Sequence, residues 1–109
     1  MTLETIITEL VVNGGDARSK ALEAIAAAKD GDFALADENM QKCKDSLGKA
    51  HAFQTEMIQA EAAGDSKYEV SLLMVHGQDH LMNAMTVKDL AGQMIEMYQI
   101  IYDQREEGK

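Results

Sequence analysis

Two histidines four residues apart enclose the stretch of this chain best able to do chemistry, His76-Gly77-Gln78-Asp79-His80. On a helix, at 100° per residue, His80 lies about 40° to one side of His76 and Asp79 about 60° to the other. Asn83 falls almost over His76, two turns along. One face then presents two imidazoles, a carboxylate and an amide. It is flanked by Leu72-Leu73-Met74-Val75 and Leu81-Met82, surroundings expected to desolvate the rings in part and favour their neutral, nucleophilic form.

Three kinds of chemistry compete for this cluster. Two imidazoles at i and i+4 can chelate one metal ion, with Asp79 adding an oxygen. The general-base Glu of a metalloprotease helix is missing, and Gly77 stands in its place. A neutral imidazole can also accept a phosphoryl group and pass it on, its polar neighbours orienting the ring. The third reading is structural, with both rings packed and satisfied by nearby polar groups. Helical spacing alone does not choose among the three. If His76 is a phosphoryl acceptor, Nε2 is the reactive atom, because it projects farther from the backbone. Gln78, His80 or a backbone carbonyl would then fix the tautomer, or His80 would donate to the phosphate.

Outside this cluster the chemistry is sparse. There is no P-loop, dinucleotide fingerprint or nucleophile elbow. Gly14-Gly15, ahead of Asp16-Ala17-Arg18-Ser19, marks either a helix break capped by Asp16 or a close-packing site within one continuous helix. Arg18 would clamp phosphate oxygens only if packing brought it to His76, and otherwise lies on a solvated face. The single cysteine, Cys43, rules out an internal disulfide framework or a cysteine-based zinc finger and reads as an inert core thiol.

Three helices must position these groups. Asp30-Gly31-Asp32 and Gly64-Asp65-Ser66 are turn signals, with Gly past a helix end and Asp or Ser capping the next. They predict helices over about 3–29, 33–63 and 67–105, one all-α domain over 1–109, and a frayed tail from Arg105 to Lys109. No segment alternates with period two, and the absence of Pro lets the helices run long. The first presents Leu3, Ile6, Ile7, Leu10, Gly14, Ala17, Ala21, Ala24 and Ala28 on one face, small enough below Leu10 for close approach. The second carries a seam from Phe33 through Ala36, Met40, Cys43, Leu47, Ala50, Gln54 and Met57 to Glu61. The third has Val70, Leu73, Gly77, Ala84, Ala91, Met94, Tyr98 and Ile101 on one face. A second stripe holds Leu72, His76, Asp79, Asn83, Thr86 and Leu90. From Val70 to Val75 the helix is apolar nearly all round. It needs covering on more than one side, which predicts self-association through this segment.

Charge narrows the partners. Ten Lys and Arg stand against 19 Asp and Glu among 109 residues, a net charge of -9. With only five aromatic residues, the chain is a poor fit to nucleic acid or an anionic membrane surface. A hydrophobic content of 46% excludes a disordered acidic tail. No apolar run approaches a membrane span, and Met1-Thr2-Leu3-Glu4-Thr5 lacks the pattern of a signal peptide, so a cytoplasmic address is expected. Partner docking is expected to use an adaptable apolar patch around His76 that includes some of the eight Met, with no sign in the sequence of which.

The run from Val70 to Met82, together with Gly15-Asp16-Ala17-Arg18-Ser19 and Ala50-His51-Ala52-Phe53-Gln54-Thr55, closely resembles the lactose/cellobiose-type enzyme IIA of the bacterial phosphoenolpyruvate-dependent sugar phosphotransferase system. The resemblance covers nearly the whole chain. It implies an up-down-up three-helix bundle assembling as a nine-helix homotrimer. His76 aligns with the phosphohistidine, which takes its phosphoryl group from HPr and gives it to a cysteine of enzyme IIB during uptake of a β-linked disaccharide. Asp79 aligns with the residue that, once per subunit, holds a divalent ion, Mg²⁺, on the threefold axis. A hard cation with oxygen ligands suits three converging carboxylates. The family usually carries Ala where this chain has Gly77, a change that touches helix rigidity and not the chemistry.

Two other classes stand beside this one. The first is a structural or metal-binding bundle with His76, Asp79 and His80 as ligands. The second is a histidine phosphotransfer domain of two-component signalling, which sets Lys and Gly soon after the His, where this chain has Gln78-Asp79-His80. The identity of the sugar is not encoded here, since enzyme IIA does not touch it.

Overall fold

The computed structural model describes residues 2–65 and 68–108. Three helices follow one another, α1 (Leu3–Lys29), α2 (Phe33–Ala62) and α3 (Leu72–Glu107). They form a rod of 62 × 21 × 20 Å, with no strand among the described residues. Each helix starts on a side-chain cap: Thr2 accepts from the Thr5 amide, Asp32 from the Leu35 amide and Ser71 from the Met74 amide. Such caps satisfy amides that lack an intrahelical acceptor. Gly31 and Gly64 follow α1 and α2 with φ of +82° and +80°, the left-handed conformation that glycine adopts cheaply.

The third helix departs from expectation at both ends. It begins at Leu72 on the Ser71 cap, not near 67. Of the expected start, Ser66 and residue 67 lie outside the described residues, and Tyr68 to Val70 are not helical. At the other end α3 continues through Arg105 to Glu107, where a frayed tail was expected. Arg105 stacks over the Tyr102 ring at 5.3 Å, a cation–π contact that supports the last turns.

The first helix is the hub, and α2 and α3 each pack more extensively on α1 than on each other. The reason is its stripe of Gly14, Ala17, Ala21, Ala24 and Ala28, all buried, which lets both neighbours approach closely. The main core joins Ile6, Leu10, Ala17 and Ala21 to Cys43, Leu47 and Ala50 of α2 and to Met74, Leu81, Ala84 and Ala91 of α3. Cys43 is fully buried, and desolvation pushes its thiol pKa up, which fits an inert core thiol.

The buried face of α3 is Met74, Gly77, Leu81, Ala84 and Ala91. Val70 and Leu73, expected on it, are 80% and 64% exposed. Val70 precedes the helix, so stepping from it shifted the first turn of the stripe. The second stripe points outward over its whole length: His76, Asp79, Asn83 and Thr86 are exposed, with Leu72 at 85% and Leu90 at 51%. Three- and four-residue steps carry it on through Gln93 to Met97 and Ile100, also exposed. The stripe keeps a near-heptad period along the helix, with no covering element among the described residues.

Candidate functional site

The site lies near the start of α3, against the first half of α1. Two glycines set the distance between the helices. A Cβ on Gly77 would lie 3.4 Å from Leu10 Cβ and Cδ1, ordinary contact. A Cβ on Gly14 would lie 3.2 Å from the backbone carbonyl of His80 and 3.3 Å from the Leu81 amide nitrogen. Gly14 is therefore a close-packing site within a continuous helix, whereas a Cβ on Gly15 would meet nothing within 4 Å. Asp16 caps nothing; its carboxylate accepts from Ser46 Oγ at 2.6 Å, tying α1 to α2.

With its backbone held there, α3 presents the two imidazoles edge to face. Their centroids are 4.5 Å apart with planes at 87°, and the two Nε2 atoms are 3.1 Å apart. His80 is half-buried and His76 exposed. Desolvation of His76 was expected; within one chain no element covers that side of α3. Asp79 is exposed on the same outward side. Among the described residues of one chain, no group of three or more His, Cys, Asp or Glu is placed to hold a metal ion.

Gln78 points elsewhere. Its Oε1 accepts from Gln54 Nε2 at 2.8 Å, and its own amide faces Met74 Sδ at 3.8 Å. Within the chain it braces α3 against α2 and leaves the His76 ring alone. Gln54 also reaches Met82 Sδ at 3.5 Å. This cross-helix brace was not read from the sequence, although Gln54 is visible there as a polar member of an otherwise apolar seam. Arg18 and His51 are exposed on α1 and α2. Neither has a hydrogen bond or ion pair to the histidine pair among the described residues.

Beside the pair opens an apolar groove of about 630 Å³. Phe53, Met57, Tyr68, Met74 and Val75 line it, Gln78 borders it, and Glu56, Glu61 and Glu69 add carboxylates. Of the uncovered apolar residues around the start of α3, Val70 and Val75 line it, and Ile58 of α2 faces them.

A hub-and-two-spoke helical bundle with an exposed His76 beside a half-buried His80 defines a class of small histidine-bearing modules. Sequence comparison makes that class specific. The profile of the "PTS system, Lactose/Cellobiose specific IIA subunit" family matches residues 5–99, and the chain belongs to that family. It is 55% identical over 103 residues to the lichenan-specific phosphotransferase enzyme IIA component of Bacillus subtilis, covering 94% of this chain and 93% of that one. The fold superposes on the crystal structure of the cellobiose-specific enzyme IIA of Bacillus anthracis with a TM-score of 0.87 at 51% identity, covering 94% of each chain. It also matches the chitobiose IIA of Escherichia coli, solved in solution in complex with HPr (TM-score 0.77, 37% identity, 94% of this chain and 98% of that one). Membership in this family disfavours the structural or metal-binding bundle as the chain's main role. No helix among the described residues is long and apolar enough to cross a membrane.

Proposed function

We propose that His76 is a transient phosphoryl carrier in the cytoplasm, loaded by HPr and discharged to a cysteine of enzyme IIB during uptake of a β-linked disaccharide. The observation that carries this reading is the exposed His76 ring with its Nε2 against Nε2 of His80 at 3.1 Å. A hydrogen bond between two imidazole nitrogens needs one proton and one lone pair. With the proton on His80, Nε2 of His76 keeps its lone pair, and its own proton sits on Nδ1. That is the tautomer needed for in-line attack on phosphorus. As the new P–N bond forms and the donor's bond breaks, the Nε2–H of His80 is free to bond an equatorial oxygen, where charge accumulates. His80 is thus a supporting group, and Gln78 acts through the backbone by bracing α3.

The uncovered α3 stripe supports a homotrimer of nine helices with the third helices at its centre. Asp79, exposed on that stripe, would meet its two counterparts there. Among the described residues one chain offers no metal cluster, whereas three carboxylates brought together call for a divalent cation such as Mg²⁺, which would neutralise their repulsion.

The test is intact-mass measurement after incubation with phosphoenolpyruvate, enzyme I and HPr. One acid-labile phosphoryl group is expected per chain, lost in His76→Ala and kept in His51→Ala. No gain under conditions that load a control enzyme IIA overturns the reading. For the assembly, Asp79→Leu should sediment as a folded trimer, because it removes repulsion and packs. An unfolded monomer would rule out converging carboxylates.

A further inference from the structure

The same imidazole pair has the spacing of two adjacent ligands on one transition-metal ion, and we infer that it is an inhibitory site for a borderline-soft divalent cation such as Zn²⁺. The inference rests on the phosphocarrier reading for its consequence but not for the binding itself.

Zinc binds imidazole nitrogen at about 2.0–2.1 Å, so two such ligands stand about 2.9 Å apart at a right angle and about 3.4 Å apart at the tetrahedral angle. The observed Nε2–Nε2 distance of 3.1 Å falls between these. Two residues one helical turn apart supply both nitrogens, and α1 fixes the backbone of one of them through Gly14. The two nitrogens therefore stand at chelating distance before any ion arrives, and a small turn of the rings aims both lone pairs at one ion, which keeps the ordering cost of binding low. Within one chain His76 is exposed, so water or, in the proposed trimer, a group of the neighbouring subunit completes the coordination. The net charge of -9 favours the approach of a cation.

Binding requires a lone pair on each Nε2. His76 already presents one in the nucleophilic tautomer, and His80 supplies the second by moving its proton from Nε2 to Nδ1. No proton is lost overall and no redox step is involved. The ion then occupies the lone pair that would attack phosphorus, and it removes the hydrogen-bond donor intended for the phosphate. Binding and phosphoryl acceptance exclude each other. The site differs in ligands and chemistry from a hard-cation site at Asp79: imidazole nitrogens select Zn²⁺, Ni²⁺ or Cu²⁺ over Mg²⁺.

The test is calorimetric titration of the chelator-treated protein with ZnCl₂ in excess Mg²⁺, in parallel with loading from purified phospho-HPr. One Zn²⁺ per chain is expected. His76→Ala and His80→Ala should each weaken binding by about tenfold or more, since losing a ligand costs at least what losing a ligand's outer partner does. His51→Ala should bind as tightly as the parent. Zn²⁺ should block loading of the parent, EDTA should restore it, and the residual loading of His80→Ala should resist the same Zn²⁺ concentration. Unchanged binding in either histidine variant, or no binding by the parent, overturns the site. If Zn²⁺ binds through both histidines but phospho-HPr never loads the chain, the site stands and the phosphocarrier reading falls.

Discussion

The two ends of the rod are built on opposite terms. At one end the chain turns between α1 and α2 under the last turns of α3. The Tyr102 hydroxyl donates to the Lys29 carbonyl at 2.9 Å, and its ring meets Phe33 edge-on at 5.6 Å. Gly31 sits so close beneath it that a Cβ would come within 2.9 Å of the ring. At the other end α3 starts with Leu72, Leu73 and Val75 uncovered, the apolar groove stands open, and the imidazole pair faces outward. A docking partner needs exposed apolar surface, and a bundle needs at least one end where its turn is strapped down by a neighbouring helix. The contrast teaches that this chain keeps its structural closure and its reactive surface a full helix length apart.

If the division is real, the largest stability effect of a small change should fall at the closed end. Gly31→Ala forces a side chain into φ +82° and into the Tyr102 ring. The left-handed strain alone is about 1–2 kcal/mol, and the clash adds to it. Thermal or urea unfolding should show a loss of about 2 kcal/mol, while phosphoryl acceptance at the far end persists in the fraction that stays folded. Equal damage to acceptance at a temperature where the variant is fully folded would break the comparison.

Tyr102→Phe is milder. It keeps the ring against Phe33 and removes only the donor to the Lys29 carbonyl, which is also left without that partner. The expected cost is about 1 kcal/mol, read as a lower urea midpoint with an unchanged slope. An unaltered midpoint would mean that water replaces the hydroxyl at no cost and that the strap over the turn is ornamental.

The sequence made the closed end readable and the open end only partly so. Glycine, aspartate and helical period are local signals, and they located both helix ends around Gly31 and the buried faces of α1 and α2. Tyr102 as a strap was invisible, because its partners at the turn, Lys29 and Phe33, lie about seventy residues away along the chain. The start of α3 was placed too early because Asp65-Ser66, just past Gly64, read as its cap, and the helical period could not correct that across Val70 to Val75, which is apolar nearly all round. Periodicity has no purchase on such a run, and the deciding signal was the weaker one of Ser71 as a cap. The roles of Gln78 and Gln54 were hidden for the same reason as Tyr102. A side-chain pair between helices leaves no spacing in either one. The imidazole pair itself was legible, since i and i+4 positions on one helix fix their own geometry.

The smallest effects are the sharpest, because they carry opposite signs one turn apart on the same α1–α3 contact. Gly77→Ala adds a methyl at ordinary distance from Leu10 and removes the backbone freedom of a mid-helix glycine, so it should stabilise by up to about 1 kcal/mol. Gly14→Ala gains the same helix propensity. Its methyl, however, presses within 3.2 Å of the carbonyl of His80, part of a helix backbone that cannot rotate aside as a side chain would. Overpacking of this kind costs about 1–3 kcal/mol, so the net change should be a small loss of stability. The displaced element is the one that carries the second imidazole. Loading by phospho-HPr should therefore slow in Gly14→Ala and hold or improve in Gly77→Ala, measured at a temperature where both are folded. The pair separates a site that needs only an exposed histidine from one that needs His76 and His80 held in register. If both variants load at the parent rate while their stabilities move in opposite directions, the close approach of α1 serves folding alone.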